Sequence, residues 1–304
     1  MNPESLDLES SKSTRELLPR FVNSVFQIVK SEVRVLIFVW AITVSYLVAS
    51  KLQPDRVTLV LLPFAGYFLA LGIYVLSDAA DIEDDRTNSP NRPLPSGRAT
   101  KREAEILAVT SIAASFIFAT FIGFATAALF LVFLFLGLSY SIPRVNVKKR
   151  FPLKVIVPAT GAAVFSLAGG AAAQGLRPII FFPAIAFSLF GLVTLLIGDI
   201  SDLKGDLATG VRSFPVVIGA KNSVLFVMII PFVLSVLGIV FFFIAQLNLA
   251  FPILLIATSC YCYISMRPLL LESDNPSVCR KVKSKMRIVH FVIQLIFVLG
   301  IITL

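Results

Sequence analysis

Asp78, Asp81 and Asp85 stand at i, i+3 and i+7, and Asp199, Asp202 and Asp206 repeat that spacing 121 residues later. On a continuing helix, three such carboxylates share one face. Clustered carboxylates repel one another, so each set calls for cations among them. Their oxygens suit a hard divalent ion such as Mg2+. With Glu83 and Asp84, the two stretches hold eight of the 18 acidic residues of a chain that is 57% hydrophobic. Solvated loop acids balanced by neighbouring Arg and Lys have no need to repeat a spacing. Two matching sets point instead to one shared object, a metal-bound diphosphate.

Cations follow each set. In Asn91-Arg92-Pro93-Leu94-Pro95-Ser96-Gly97-Arg98, two prolines and a glycine impose a rigid extended turn that presents Arg92 and Arg98 to phosphate oxygens. After the second set, Gly205 permits a close backbone approach, Gly210 marks a turn, and Lys204 and Arg212 supply charge. The loop from Tyr140 through Arg144 to Lys148, Lys149 and Arg150 is a third basic element. It reads either as a topogenic loop or as a site for a diphosphate or an acceptor's anionic group. Ser213–Gly219 reads as a short re-entry into the bilayer.

The elements that must position these residues are apolar. A mean hydropathy of +0.89 excludes an ordinary soluble domain, and runs of about 20 apolar residues indicate a polytopic, all-α membrane protein. Spans are expected near 33–50, 57–77, 103–122, 124–142, 155–175, 178–198, 223–245, 249–266 and 287–304. Residues 1–20 read as a polar cytosolic tail, 21–32 as an amphipathic lead-in helix, and 21–304 as a single transmembrane domain. Of the 27 Lys and Arg, all but Lys51, Arg56 and Arg177 then fall on one side. The positive-inside rule puts the N-terminus and both acid sets in the cytosol and the C-terminus outside. The net charge of +9 reflects membrane orientation, and no nucleic-acid partner is expected. Each acid set follows the second span of a four-span group. The architecture expected is two four-helix pseudo-repeats plus a ninth helix around a central cavity.

Other chemistry is sparse. His290, the sole histidine, and Cys260 and Cys262 lie in apolar spans and read as packing residues. The three cysteines have no zinc-type ligand spacing and suggest no disulfide framework. Met1–Gln27 lacks the apolar core of a signal peptide.

At these residues the sequence resembles the UbiA-type intramembrane prenyltransferase superfamily. The family's first motif, N-D-x-x-D-x-x-x-D, is matched by Asp78, Asp81 and Asp85, with Ser77 in place of Asn. The second, D-x-x-D-x-x-G-D, is met in full by Asp199, Asp202, Gly205 and Asp206. Where the family often has Lys four residues after the loop tyrosine, this chain has Arg144 after Tyr140. The resemblance implies two Mg2+ ions, held by the six aspartates, bridging a polyprenyl diphosphate donor. Ser77 would be a polar contact to metal or diphosphate, and Arg92, Arg98, Lys148, Lys149, Lys204 and Arg212 would neutralise the leaving group. Cleavage of the allylic C–O bond would give a carbocation for an acceptor to trap. Asn-Ser-Pro-Asn-Arg-Pro-Leu-Pro-Ser-Gly-Arg is most similar to the archaeal lipid branch, which adds a second geranylgeranyl chain to geranylgeranylglyceryl phosphate. An aromatic acceptor in quinone or chlorophyll-type biosynthesis is the alternative. A cation-coupled transporter is the rival of another class, disfavoured because the acids gather at one membrane face.

Overall fold

The computed structural model describes residues 19–141, 147–174 and 178–302. The tail of residues 1–18 and Arg144 lie outside them. A lead-in helix, α1 (Pro19–Ser31), is bent by 52° from the segment Val33–Ala49 that follows. Its main helix is α2 (Leu36–Ala49), and the other long helices in chain order begin with α3 (Arg56–Ala80). A seven-residue helix, α4 (Ile82–Asn88), separates α3 from α5 (Lys101–Ile122) and α6 (Phe124–Ser141). Then come α7 (Leu153–Gln174), α8 (Phe181–Ser201) and two short helices, α9 (Leu203–Thr209) and α10 (Phe214–Ile218). The chain ends with α11 (Ala220–Ala245), α12 (Ala250–Met266), the short α13 (Pro268–Glu272) and α14 (Pro276–Ile301). Among the described residues, eight helices are long and apolar enough to cross a membrane, nine when the bent first pair counts as one span.

Local chemistry sets these boundaries. Asp55 caps α3 by accepting from the Thr58 N–H at 2.8 Å, and Thr100 with Glu103 forms a capping box on α5. Gly123 divides α5 from α6 at φ 147°, a conformation that side chains with a Cβ rarely adopt. The expectation for the last span needs correction. It begins at Pro276, not near 287, with Asn275 as N-cap. Its first turns carry Arg280, Lys281, Lys283 and Lys285, so apolar content alone hides them. At 26 residues the helix is about 39 Å long. That exceeds a hydrocarbon core of about 30 Å, leaving its basic end beyond the membrane. Within Ser213–Gly219 the chain forms the short α10 (Phe214–Ile218), whose Phe214 ring packs 6.0 Å from Phe151 and 5.0 Å from Phe226.

The nine spans close into a ring. Each of α3, α5, α6, α7, α8, α11 and α12 packs on the next, α12 packs on α14, and α14 and α3 both pack on α2. The ninth span thus fills the place between the eighth and the first. One apolar core lies mainly within α2, α3, α5 and α6, and another within α8, α11, α12 and α14. Across the ring α2 meets α7, the first spans of the two groups. There the contact is close enough that a Cβ on Gly169 would overlap the backbone carbonyl of Ile42. Beside it the Ser45 and Ser166 hydroxyls hydrogen-bond at 2.6 Å, 121 residues apart, the offset that separates the aspartates. Outward faces carry exposed Phe121, Phe124, Phe135 and Phe243, as lipid contact requires.

Candidate active site

Both acid sets sit at helix breaks. The sequence leads one to expect helices running through them; instead α3 stops at Ala80 and α8 at Ser201. Asp81 (φ −104°, ψ 12°) and Asp202 (φ −98°, ψ 4°) are the hinge residues. Both occupy the sparsely populated bridge region that often marks active-site residues. The short helices that follow, α4 and α9, begin and end 121 residues apart, so the repeat extends to the backbone. Each break moves the third aspartate off the axis of its span. The Asp81 N–H donates to the carbonyl of Ser77, which is half-buried in the last turn of α3.

Cations from distant parts of the chain hold the carboxylates. Arg92 is the centre of the first set. Its Nη1 donates to Asp78 Oδ1 at 2.9 Å and to Asp85 Oδ2 at 2.8 Å. Its Nη2 reaches Asp78 Oδ2 and, at 2.8 Å, Glu32 Oε1. Arg34 joins from the start of the first span, with Nε 2.7 Å from Glu32 and Nη2 2.8 Å from Asp78. Its guanidinium lies 4.4 Å over the Tyr74 ring. Lys148 pairs with Asp81. In the second set, Lys154 Nζ bridges Asp199 Oδ1 at 2.9 Å and Asp206 Oδ2 at 3.1 Å. Partial desolvation pushes the Asp202 carboxyl above its usual range; Lys283 pulls the other way, and Asp206 adds to the push. Tyr140, at the end of α6, lies within electrostatic reach of Asp199, Asp81 and Asp206, and so faces both sets.

Not every residue singled out in the sequence joins this network. Arg98 turns back on its own loop, donating to the Asn91 carbonyl and, at 2.9 Å, to Ser96. Lys149, Lys204 and Arg212 are exposed, and among the described residues none of them forms an ion pair with Asp78, Asp85, Asp199, Asp202 or Asp206. Four residues that the sequence reading passed over are present: Glu32, Arg34, Lys154 and Lys283. Lys154 left a signal. It lies in the first turn of α7, where the helix dipole disfavours a cation by about 0.3–1 kcal/mol. Glu32 is an acid at the head of an apolar span, where the flanking charges are otherwise basic.

Below the carboxylates the ring is filled with aromatic side chains. Phe38 of α2 has Tyr74, Phe133, Phe165 and Phe187 within 5.3–5.8 Å, one ring from each of four other spans. Tyr74 precedes Asp78 by one turn, so this apolar, electron-rich floor adjoins the acids.

Among the described residues, no three Asp, Glu, His or Cys side chains are gathered as a ready-made metal cage. The donor set nonetheless fits a hard cation. It is all carboxylate, and Asp199 Oδ2 is buried without a hydrogen-bond partner.

A ring of membrane spans with two repeat-related carboxylate sets, cations threaded between them and an aromatic floor is an arrangement chemically suited to a charged headgroup with an apolar tail. Residues 38–290 match the UbiA prenyltransferase family, and the chain belongs to that family; it is a multi-pass membrane prenyltransferase. It is similar to a digeranylgeranylglyceryl phosphate synthase of Methanocaldococcus jannaschii, at 29% identity over 86% of this chain and 90% of that one. A solved structure described as a digeranylgeranylglyceryl phosphate synthase in membranes is 22% identical with a TM-score of 0.74, covering 93% of this chain and 99% of that one. A UbiA homolog from Archaeoglobus fulgidus, solved bound to GPP and Mg2+, is 18% identical with a TM-score of 0.73, covering 91% and 99%. The two structural likenesses establish the shared fold.

Proposed function

We propose that this chain transfers a geranylgeranyl group from its diphosphate to the free hydroxyl of geranylgeranylglyceryl phosphate, forming an ether in membrane lipid synthesis. The observation that carries the reading is the pair of broken spans, α3 and α8, whose aspartates share one end of the ring with Arg92, Lys148 and Lys154. The proline-rich loop and the name of the Methanocaldococcus relative support the lipid acceptor. Family membership sets aside a transporter.

Asp78, Asp81, Asp85, Asp199, Asp202 and Asp206 would hold Mg2+. Bound there, it supplies positive charge to the diphosphate as the allylic C–O bond breaks and the bonding electrons pass to the leaving oxygen. Arg92, Lys148 and Lys154 already stand among these carboxylates, where they would meet the leaving group. Arg92 is the only one of them with the planar fork suited to two phosphate oxygens. Tyr74, one turn before Asp78, and Phe38 packed against it would exclude water and stabilise allylic cationic charge. The acceptor oxygen forms the new C–O bond, and its proton passes to one of the aspartates.

The test is one incubation of purified protein with labelled geranylgeranyl diphosphate, Mg2+ and each acceptor separately, read by mass spectrometry. The expected product is the glyceryl ether. A prenylated aromatic product with no ether would overturn the acceptor assignment and leave prenyl transfer standing.

The charge placement orients the site: N-terminus and carboxylates in the cytosol, C-terminus outside. A C-terminal reporter active only in the cytosol is expected to stay silent. A cytosolic signal would mean that an odd number of spans crosses differently.

A further inference from the structure

The cations of the site divide into two groups. Arg34, Arg92, Lys148 and Lys154 are each paired with a carboxylate. Lys283 is different. No carboxylate lies within 4 Å of its ammonium among the described residues, although the chain folds it against the site. It projects from the basic end of α14 onto the backbone of α8 at Gly198, where a Cβ would collide with Nζ. Gly198 immediately precedes Asp199, so the bare helix surface there is what admits the ammonium beside the second acid set. Its electrostatic neighbours are Arg287 and Arg34 as well as Asp202 and Asp199. Arg287 follows by one turn on the same helix face. Lys283 and Arg287, like charges one turn apart with no carboxylate within 4 Å among the described residues, are stabilised by an anion that arrives from elsewhere.

The basic loop after α6, the natural sequence candidate for a second anion, is a poorer fit. Its Lys148 is committed to Asp81, and Lys149 and Arg150 point outward. Arg92, Lys148 and Lys154 serve the two acid sets from α7 and the two cytosolic loops, whereas α14 approaches from the opposite side, between the first and eighth spans. An anion held at Lys283 is therefore a second one, beside the donor diphosphate and not part of it.

We propose that Lys283 and Arg287 bind the phosphate of the acceptor and so select a phosphorylated acceptor over a neutral one. This rests on the glyceryl phosphate reading given above. Lys283 is the inner contact and Arg287 the outer, more exposed one. Gly198 keeps the space that Lys283 needs.

The full-length purified protein is assayed with saturating donor and with either geranylgeranylglyceryl phosphate or the same lipid with its phosphate removed. Lys283→Gln is expected to raise the acceptor KM about 10- to 100-fold, the worth of a charge-assisted contact. The donor KM should stay within about twofold, and the preference for the phosphorylated lipid should collapse. Lys283→Arg should retain most of that preference, and Arg287→Gln should lose part of it. Equilibrium binding of the phosphorylated acceptor without donor should weaken in parallel. A donor KM that rises in step, or an unchanged acceptor KM with preference intact, overturns the anion site alone. Should Lys283→Gln fail to fold, Arg287→Gln with an unaltered preference overturns it equally. A wild-type protein that neither binds nor prenylates the glyceryl phosphate overturns instead the functional reading beneath it.

Discussion

Asp199→Ala and Asp78→Ala are expected to lower prenyl transfer by about a thousandfold or more while the protein still folds and inserts. The catalytic loss follows from the role proposed for these carboxylates. Charge builds on the diphosphate as the C–O bond breaks, and removing one preorganised contact to developing charge typically costs about a hundred- to a thousandfold. Losing a group that places a divalent ion costs more. Folding should survive because the cations have other partners. Without Asp199, Lys154 keeps Asp206 at 3.1 Å. Without Asp78, Arg92 keeps Glu32 and Asp85, each at 2.8 Å. Activity is measured with labelled donor and integrity by size-exclusion chromatography and circular dichroism. Asp81→Ala and Asp202→Ala belong to the same set, and wild-type turnover in any two of the four removes the metal-bridge mechanism. Chelation by EDTA should also stop the reaction, and added Mg2+ should restore it.

The second large effect is expected at Glu32, a buried acid outside the two aspartate sets that sits against Asp78. Its side chain is 1% exposed and accepts from Arg92 and Arg34 together. Breaking a buried ion pair from one side costs about 3–5 kcal/mol, because the other charge is left behind. Arg34 is 41% exposed and regains water, so Glu32→Leu should cost nearer 2–4 kcal/mol. Arg92, freed of Glu32, should then collapse onto Asp78 and Asp85 and compete with a cation for them. Unfolding in detergent should show the stability loss, and a raised Mg2+ requirement should show the competition. In an Arg92→Gln background, Glu32→Leu should cost much less. A fully additive double variant would show that the two side chains act independently.

What the sequence reveals follows from what is local in it. Membrane spans are legible because each is one apolar run, and eight of nine starts lie within a few residues of expectation. The ninth is hidden because Arg280 to Arg287 make its first turns polar, although they are helical. The aspartates are legible by spacing, but the breaks at Asp81 and Asp202 are not, since no proline or glycine occupies either hinge. Glu32, Lys154 and Lys283 escape notice for another reason. Each meets a partner 45 or more residues away, Glu32 with Arg92, Lys154 with Asp199 and Lys283 with the Gly198 backbone, through ring closure, which no window of sequence contains.

The hydrogen bond between Ser45 and Ser166 fixes more than a helix contact. A residue that touches its own repeat counterpart is what a two-fold axis between the copies produces. Both four-span units enter the membrane in the same sense, so that axis runs along the membrane normal. At one end of the ring it would emerge between the two aspartate sets. A diphosphate is itself nearly two-fold about its bridging oxygen, and on the proposed reading it would rest on this axis with one phosphate toward each set. The prenyl tail breaks the ligand's symmetry, and the protein has broken its own in answer. One side carries the Glu32–Arg92 assembly, the other the single bridge of Lys154. On that reading the carboxylates would treat both phosphates alike, and the unmatched cations would decide the direction of bond cleavage.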